Sequence, residues 1–376
     1  MSRLPFNRPL RTGGEAERIA AALDRGWTGG NGPSSEHCQT LLRELTGSHG
    51  VLLTHSCTGA LEMTALLADV GPGDEVILPS FTFASTANAF VLRGATPVFV
   101  DIDPDTMNID PARAADAITD RTRVIVAVHY GGVGCDMATL GELCREHGLV
   151  LVEDAAQGIG ATLDGRALGA IGQLGTLSFH ETKNISCGEG GALLVNDERF
   201  AERAEILQEK GTNRQRFARG EVDHYTWVDV GSSFLMSDVT AALLAEQLER
   251  VGEITAARLA IWDAYHAAFE ALERTGVLRR PAVPEGAGHN AHLYRIMLAD
   301  RAARDRVIAS LAAAGISAYF HYVPLHSAPA GRRFGRAHGS LAVTDAAAER
   351  LLRLPLWVGM TPDDVARVAQ GVAAAT

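Results

Sequence analysis

Short apolar segments alternate with helical stretches through residues 51–195. Helical spacing is evident at 60–67, 112–117 and 137–146. The apolar, strand-sized segments lie at 51–54, 75–78, 96–100, 123–128, 149–152, 176–179 and 192–195. Continuously apolar strands separated by helices are typical of a mostly parallel sheet that is buried on both faces. We therefore predict an α/β fold whose large domain contains a mostly parallel seven-stranded sheet.

The chain beyond this sheet predicts one long helix followed by a smaller domain. Ser237 and Asp238 can cap a helix that runs to about Phe269, with an apolar stripe formed by Ala241, Leu244, Ala245 and Leu248. After a loop-like stretch we predict strands at 292–298 and 317–321, and helices at 304–313 and after Pro362. Because 376 residues exceed one ordinary core, we predict a large domain at 1–250 and a smaller C-terminal α+β domain at 251–376.

Composition and charge narrow the class of protein. Hydrophobic residues make up 47% and charged residues 21%, as in soluble globular proteins. The apolar runs are far shorter than the roughly 20 residues that span a bilayer, and the N-terminus has no apolar signal region. We expect a cytoplasmic protein that binds neither membrane nor nucleic acid, the latter because the net charge is −11. Five cysteines without a Cys-x-x-Cys pair argue against a disulfide framework or a metal site.

A lysine in a short turn is the first candidate for chemistry. Residues 178–184 read Ser-Phe-His-Glu-Thr-Lys-Asn, and a glycine cluster follows at 188–191. A lysine amine attacks carbonyl groups only when neutral, and its reference pKa is about 10.4. An aldehyde cofactor avoids this difficulty because it holds the lysine as an imine. A single lysine in such a loop is more often an ordinary surface residue, so Lys183 depends on support from other segments.

The segment 55–60, between a predicted strand and a predicted helix, offers a phosphate site. Its backbone N–H groups, together with the Thr58 hydroxyl, can hold a phosphate at the positive end of the helix. The nucleotide-binding Gly-x4-Gly-Lys-Ser/Thr pattern is absent from it. Ordinary N-capping by Ser56 or Thr58 is the alternative interpretation.

Three further residues suit a pyridine ring. Asp154 ends an apolar strand, beyond which ligands bind in parallel sheets, and can pair with a cationic ring nitrogen. A protonated ring is an electron sink, which is the property that such cofactor chemistry requires. Gln157 can donate to a phenolate oxygen of the ring. Phe83 can stack on the ring face, although packing in the core is its alternative role.

The order and spacing of these motifs resemble the DegT/DnrJ/EryC1/StrS family of pyridoxal-phosphate-dependent sugar aminotransferases. The resemblance covers nearly the whole chain, from 29–33 to 321–326. It is closest to the WecE-type branch, which forms dTDP-4-amino-4,6-dideoxyhexoses, through the motifs at 179–184, 209–214 and 225–227. The resemblance implies the fold type I of pyridoxal-phosphate-dependent aminotransferases, with a cofactor-binding large domain.

Carried over residue by residue, the resemblance implies roles for the site. Lys183 would bind the cofactor covalently and act as the catalytic residue. The other cofactor contacts would be Cys57, Thr58, Phe83, Asp154, Gln157 and Ser178. Many family members place an asparagine at the position of Ser233, where it reaches the phosphate of the neighbouring subunit. The family forms dimers with active sites at the subunit interface, so we expect a homodimer or larger homo-oligomer.

The resemblance also implies a reaction. L-Glutamate would donate its amino group, leaving 2-oxoglutarate and the pyridoxamine phosphate form of the cofactor. That form would aminate dTDP-4-keto-6-deoxy-D-glucose to a dTDP-4-amino-4,6-dideoxyhexose. Candidate substrate contacts are Lys210, Asn213, Arg214 and Arg219 for the nucleotide diphosphate, and His321 and Tyr322 for the sugar. Each of these can equally be an ordinary solvated or packing residue.

Other readings of the same motifs remain open. Sugar 3-dehydratases of this family carry histidine in place of the lysine, so Lys183 argues against them. Transamination of a different substrate, such as a 3-keto sugar, a UDP-linked sugar or a cyclitol, is the main alternative. A non-catalytic binding or regulatory relative is disfavoured by the intact Lys183, Asp154, Gln157 and Ser178.

Overall fold

A computed structural model describes residues 3–376 of the chain. The strands are β1 (Gly50–Thr54), β2 (Glu75–Pro79), β3 (Thr96–Val100), β4 (Thr122–Val128), β5 (Val150–Asp154), β6 (Thr162–Leu163), β7 (Arg166–Ala167), β8 (Leu174–Ser178), β9 (Gly191–Val195), β10 (Ala287–Gly288), β11 (Tyr294–Met297), β12 (Arg336–Ala337) and β13 (Leu351–Leu354).

Fifteen α-helices within residues 3–376 surround these strands. They are α1 (Glu15–Asp24), α2 (Pro33–Thr46), α3 (Cys57–Leu67), α4 (Ala84–Val91), α5 (Pro111–Asp116), α6 (Met137–His147), α7 (Ala201–Gln208), α8 (Arg214–Ala218), α9 (Asp238–Leu248), α10 (Val251–Ala268), α11 (Glu270–Arg274), α12 (Arg301–Ala313), α13 (Pro329–Phe334), α14 (Ala342–Arg350) and α15 (Pro362–Ala375). Short 3₁₀ turns occur at Tyr130–Gly132, Glu198–Phe200 and Leu325–Ser327.

The central sheet contains all seven predicted strands and one more. Its order is β1-β9-β8-β5-β4-β2-β3-β12, and β9 alone runs antiparallel to its neighbours. The predicted α/β fold with a mostly parallel sheet is therefore confirmed, but the predicted number of seven strands is wrong. The eighth strand, β12, has only two residues and pairs with β3. Arg336 holds it there through Glu75 on β2, with Nη2 3.0 Å from Oε2.

Both faces of the sheet are buried, as continuously apolar strands require. Along β4, Val124, Val126 and Val128 pack in one apolar cluster with residues of α3 and α4. The intervening Ile125 and Ala127 pack on the opposite face with residues of α5 and α6. This alternation follows from the two-residue period of a strand. The sheet is therefore covered by helices on both sides, with its loops free to form a site at the strand ends.

The single long helix predicted from Ser237 to about Phe269 is two helices. Ser237 caps α9 as predicted, because its hydroxyl accepts the N–H of Thr240 at 3.2 Å. The helix ends at Leu248, and α10 begins at Val251. The apolar residues of α9 pack against the large sheet, whereas those later in α10 belong to the core of the C-terminal region. The helix is interrupted at Arg250, whose φ of −112° and ψ of 15° are not helical. The first turn of α10 still packs against the large sheet through Val251 and Ile254, so α10 itself links the two cores.

A second core lies in the C-terminal region. The antiparallel pair β11 and β13 packs there with α12 and α15, and the capping box of Thr361 and Asp364 starts α15. No strand forms at 317–321, where one was predicted: the segment has a single isolated bridge, between Tyr319 and Arg353. The N-terminal segment joins this core through Leu4, whose N–H donates to Gly315 O at 2.9 Å. The boundary at 250/251 stays a prediction.

Candidate active site

One cavity of about 640 Å³ lies at the carboxyl ends of the parallel strands. It brings together residues that are far apart in the chain and that come from β5, β8, α3, α4 and the C-terminal region. The predicted site residues that line it are Cys57, Thr58, Phe83, Asp154, Gln157, Ser178, Lys183, His321 and Tyr322. Its position agrees with the general rule that ligands bind beyond the carboxyl ends of parallel strands.

Asp154 is the last residue of β5, and its side chain is only 6% exposed. Thr86 on α4 donates its hydroxyl to Oδ2 at 2.7 Å, and Ala156 donates its backbone N–H to Oδ1 at 3.1 Å. The Thr86 hydroxyl also lies 2.8 Å from that of Thr82. Hydrogen bonds to a carboxylate are stronger than those between neutral groups. They hold one buried negative charge in a fixed orientation at the cavity.

Lys183 lies in the turn after β8 and is half-buried. Its backbone N–H donates to His180 O at 2.9 Å, and the turn closes where the Glu181 N–H donates to Gly188 O at 2.9 Å. Burial lowers the pKa of the Lys183 amine, while the nearby Cys57 and Asp154 act in the opposite direction. Desolvation disfavours the charged ammonium, so the neutral amine that attacks a carbonyl is more accessible here than in water.

The N-terminus of α3 closes one end of the cavity. Ser56 caps this helix, because its hydroxyl accepts the Gly59 N–H at 3.1 Å. The capping alternative therefore holds for Ser56, whereas the Thr58 hydroxyl contacts the Ser85 hydroxyl at 2.8 Å. A Cβ at Gly191 on β9 would lie 2.4 Å from the Cys57 backbone nitrogen. Only glycine allows the strand to approach the helix N-terminus this closely.

The side chain of Gln157 is held by two neighbours. Its Oε1 accepts the Gly131 N–H at 2.7 Å, and its Nε2 donates to the Tyr322 hydroxyl at 3.0 Å. One of the two Nε2 hydrogens is therefore already used within the protein. Tyr322 has a positive φ of 52° and stacks on His321 with ring centroids 3.7 Å apart. These contacts build one rigid wall of the cavity.

His321 completes this wall. Its Nδ1 lies 2.8 Å from the Tyr130 hydroxyl. Burial, together with the positive charges of Arg353 and Lys183, lowers the pKa of His321 well below its usual value. The imidazole is therefore neutral at physiological pH and can exchange hydrogen bonds with a polar ligand without adding charge.

Phe83 faces the cavity rather than the core. Its side chain is 64% exposed, and it precedes α4 at the N-cap position. Core packing, the alternative from the sequence, is thus not its role in this chain. An aromatic ring that is this exposed in the described chain and lines a cavity is available to stack on a planar ligand.

The other predicted site residues lie elsewhere. Ser233, Lys210 and Arg214 line a second cavity of about 860 Å³ together with the 26–31 segment. Within one chain they do not join the cavity of Lys183.

Two predicted nucleotide contacts are already engaged. Arg219 pairs with Glu205 at 3.0 Å and with Glu221 at 2.6 Å, so its charge is largely neutralised. Asn213 accepts the Thr226 N–H at 2.7 Å. Within a single chain, the second cavity and the loop next to it are therefore separate from the Lys183 cavity.

The predictions from the sequence did not include Thr86 and Arg353, which line the Lys183 cavity. Thr86 gave no signal, because a threonine outside any predicted helix, strand or motif has no distinctive pattern. Arg353 did give one: it is the single charged residue in the strand β13, whose other residues are buried. A charged residue in such a strand indicates that this position faces something other than the core.

Within residues 3–376, no group of three or more His, Cys, Asp or Glu side chains is arranged to hold a metal ion. None of the helices in that part of the chain is long and apolar enough to cross a membrane.

The residues that do line the cavity fit pyridoxal phosphate. They provide a lysine of lowered pKa for the aldehyde, a buried carboxylate for the ring nitrogen, and a helix N-terminus with hydroxyl groups for the phosphate.

Comparisons with known proteins agree with this assignment. The sequence profile of the DegT/DnrJ/EryC1/StrS aminotransferase family matches residues 11–373. The spore coat polysaccharide biosynthesis protein SpsC of Bacillus subtilis is 34% identical, and the match covers 98% of this chain and 96% of SpsC. The crystal structure of the aminotransferase TlmJ from Streptoalloteichus hindustanus is 34% identical with a TM-score of 0.90, over 99% of this chain and 98% of TlmJ.

A further similar structure carries the cofactor. The putative sugar aminotransferase Spr1654 from Streptococcus pneumoniae, solved in a PLP form and in a PMP form, is 27% identical. Its TM-score is 0.91, over 100% of this chain and 98% of Spr1654. The cofactor of the present chain is pyridoxal phosphate, and its fold is that of the PLP-dependent aminotransferases. The chain belongs to the DegT/DnrJ/EryC1/StrS family and is a pyridoxal-phosphate-dependent sugar aminotransferase.

Proposed function

We propose that this enzyme transfers the amino group of L-glutamate to C4 of dTDP-4-keto-6-deoxy-D-glucose. The products are 2-oxoglutarate and a dTDP-4-amino-4,6-dideoxyhexose. The observation that carries the proposal is the motif at 179–184, which resembles the branch acting on 4-keto sugar nucleotides and places Lys183 in the cavity with Asp154. SpsC, a relative that the match covers almost completely, is a polysaccharide biosynthesis protein, which is consistent with a sugar substrate.

When bound, the cofactor supplies an electron sink that stabilises negative charge on the carbon that gains or loses the amino group. Lys183 would hold it covalently. When its amine is free, Lys183 would move a proton at that carbon, and burial, which lowers its pKa, would favour the neutral, basic form of the amine. Asp154, fixed by Thr86 and Ala156, would keep the ring nitrogen protonated.

The other residues of the cavity position these groups. Thr58 and Ser178, with the N-terminus of α3, hold the phosphate, and Cys57 contributes its backbone N–H beside them. Phe83 would stack on one face of the ring. Gln157 would contact the phenolate side with its remaining amide hydrogen. His321 and Tyr322 would contact the sugar, because their stacked rings line the same cavity as the residues proposed to hold the cofactor.

We also propose that two chains form a homodimer in which each completes the other's site. Ser233, Lys210 and Arg214 line a second cavity that lacks a catalytic lysine, which suits residues that serve a neighbouring subunit. Large apolar side chains close to them in sequence are exposed, namely Tyr225, Trp227, Val228 and Val230. Exposed apolar patches of this kind mark interaction surfaces.

An end-point assay with L-glutamate and a panel of keto sugar nucleotides tests the substrate. The panel contains the dTDP-4-keto, dTDP-3-keto and UDP-4-keto sugars and a keto-cyclitol, and NMR identifies the product and its configuration at C4. We expect amination of dTDP-4-keto-6-deoxy-D-glucose with a higher kcat/KM than any other member. Preferential amination of the 3-keto sugar, the UDP-linked sugar or the cyclitol would replace the proposed substrate and leave the family assignment intact.

A further inference from the structure

Arg353 enters the Lys183 cavity from a rigid element. It lies on β13, where Leu351, Leu352 and Leu354 are buried and only Arg353 is half-buried. Its backbone pairs with Arg295 on β11 and exchanges two hydrogen bonds with Tyr319, at 2.8 and 3.2 Å. A side chain that projects from a paired strand is held more precisely than one on a loop. The guanidinium is therefore presented to the cavity in a defined position.

The guanidinium has unused hydrogen-bonding capacity. Within residues 3–376, its one side-chain hydrogen bond runs from Nη2 to Phe320 O at 3.1 Å, and its buried Nε donates to nothing. The Cζ atom of Arg353 lies 4.9 Å from the centre of the Phe6 ring. The face of the ring stabilises the positive charge of the guanidinium but leaves its planar edge open. A buried donor without a partner costs free energy, so such a group indicates a missing ligand.

The other cations of the cavity are already committed. Among the described residues, the Lys and Arg side chains that line it are Lys183, Arg258 and Arg353. Lys183 is taken by the cofactor. Arg258 is 5% exposed and donates from Nε to Ala291 O at 3.1 Å and from Nη2 to His292 O at 2.8 Å. Arg353 is thus the cation that remains for an anionic substrate, and no carboxylate of the described chain pairs with it.

We propose that Arg353 is the subsite for a carboxylate of the amino donor. The inference rests on the proposed function, because a glutamate donor must bring a carboxylate into this cavity. A guanidinium edge binds one planar carboxylate through two parallel hydrogen bonds. A nucleotide diphosphate carries more charge than a single guanidinium can neutralise, so the same geometry favours the donor over the nucleotide. The positive charge of Arg353 also acts on Lys183 and His321, which places it near the reacting groups.

Calorimetry on the holoenzyme tests the subsite without turnover. Glutarate is the probe for the carboxylate, and dTDP is the probe for the diphosphate. We expect Arg353→Gln to weaken glutarate binding about 10- to 100-fold, the usual effect of losing hydrogen bonds to a charged group, with dTDP binding unchanged. Arg353→Lys keeps the charge but loses the planar edge. Its affinity for glutarate should lie between that of the wild type and that of Arg353→Gln. The exposed Arg301 provides a matched control, since Arg301→Gln removes a cation far from the cavity.

Each outcome decides the proposal. Glutarate binding unchanged in both Arg353 variants, or weaker dTDP binding with unchanged glutarate binding, would overturn it. If Arg353→Gln does not fold, as judged by circular dichroism, the comparison of Arg353→Lys with the wild type decides.

A second measurement separates this proposal from the proposed function. The PLP form is mixed with L-glutamate and its conversion to the PMP form is followed by absorbance. If glutarate binding depends on Arg353 but L-glutamate gives no conversion, the proposed donor fails and the carboxylate subsite stands. If L-glutamate reacts equally well in wild type and both variants, the subsite fails and the proposed function stands.

Discussion

At the scale of single residues, the carboxylate of Asp154 depends on Thr86. The hydroxyl–carboxylate distance of 2.7 Å in a buried setting makes this a charge-assisted hydrogen bond, and such bonds contribute about 1.5–3 kcal/mol. Thr86→Val keeps the shape and removes the donor. We expect it to slow transamination about 10-fold and to raise the dissociation constant of the cofactor.

A second variant distinguishes the hydroxyl group of Thr86 from its methyl group. Thr86→Ser keeps the hydroxyl and should retain most of the activity that Thr86→Val loses. The cofactor affinity of both variants is measured by absorbance during dilution. Equal loss in Thr86→Ser and Thr86→Val would show that the methyl group, and not the hydrogen bond, is what matters.

Lys183 is the residue whose replacement has the most definite outcome. Lys183→Ala should abolish transamination of every substrate, because no other lysine lines the cavity within residues 3–376. Borohydride reduction of the wild-type holoenzyme should add the mass of the reduced cofactor to the peptide that contains Lys183, as seen by mass spectrometry. The variant should gain no such mass. A labelled peptide elsewhere in the variant, or normal turnover, would contradict the assignment of Lys183.

At the scale of secondary-structure elements, the contact between β9 and the N-terminus of α3 controls both stability and the cofactor site. Gly191→Ala places a Cβ 2.4 Å from a backbone nitrogen that cannot move without shifting the helix. We expect it to lower the free energy of unfolding by about 1–3 kcal/mol and to weaken cofactor binding. Gly71→Ala is the matched control, because nothing lies within 4 Å of its added Cβ. Urea unfolding of both variants checks this prediction, and equal stability would refute it.

The start of α1 should make stability depend on pH. Burial alone would raise the pKa of Glu15, but the N–H groups of Thr12 and Gly13 and the Thr12 hydroxyl outweigh it and lower the pKa to about 2. Because the folded pKa lies below the unfolded one, this stabilisation is present above the unfolded value near 4.5 and is lost as pH falls towards 2.

A variant without the charge isolates this contribution. The wild type should exceed Glu15→Gln by on the order of 1–2 kcal/mol in free energy of unfolding at pH 6, and the difference should shrink as the pH falls below 4.5. Denaturant titrations of both proteins at several pH values measure it. A difference that stays constant from pH 6 to pH 3 would argue against the ionised carboxylate.

At the scale of the whole molecule, the proposed homodimer predicts which surface is covered. Trp227 is 77% exposed in the single chain. It lies close in sequence to Ser233, which lines the second cavity. Trp227→Arg should shift the mass measured by light scattering from two chains towards one and reduce activity. Val283→Arg, at an exposed apolar position in the C-terminal region, is the control and should leave the mass unchanged. A wild type that elutes with the mass of one chain would refute the homodimer.

The whole molecule also explains which predictions from the sequence succeeded. The seven strands were predictable because a buried strand is a contiguous apolar run, which a local pattern reveals. The sequence also predicted that Asp154 ends a strand and that Lys183 follows one in a turn, and both side chains line the same cavity. Their roles towards the cofactor stay predictions. The break between α9 and α10 was not predictable, because the apolar helical pattern continues across residues 249–250 and does not reveal the non-helical backbone of Arg250.

The sequence by itself determined the class of fold and the family, and it predicted which residues would contact the cofactor. Those properties reside in local periodicity and in short motifs. Only the tertiary structure decided three relations between distant residues. Arg336 binds Glu75, 261 residues away, and so holds an eighth strand in the sheet. Thr86 orients Asp154, and Arg353 presents an unpaired cation to the cavity. These relations depend on contacts between segments that are distant in sequence. Such contacts form only in the packed chain, so no local sequence pattern predicts them.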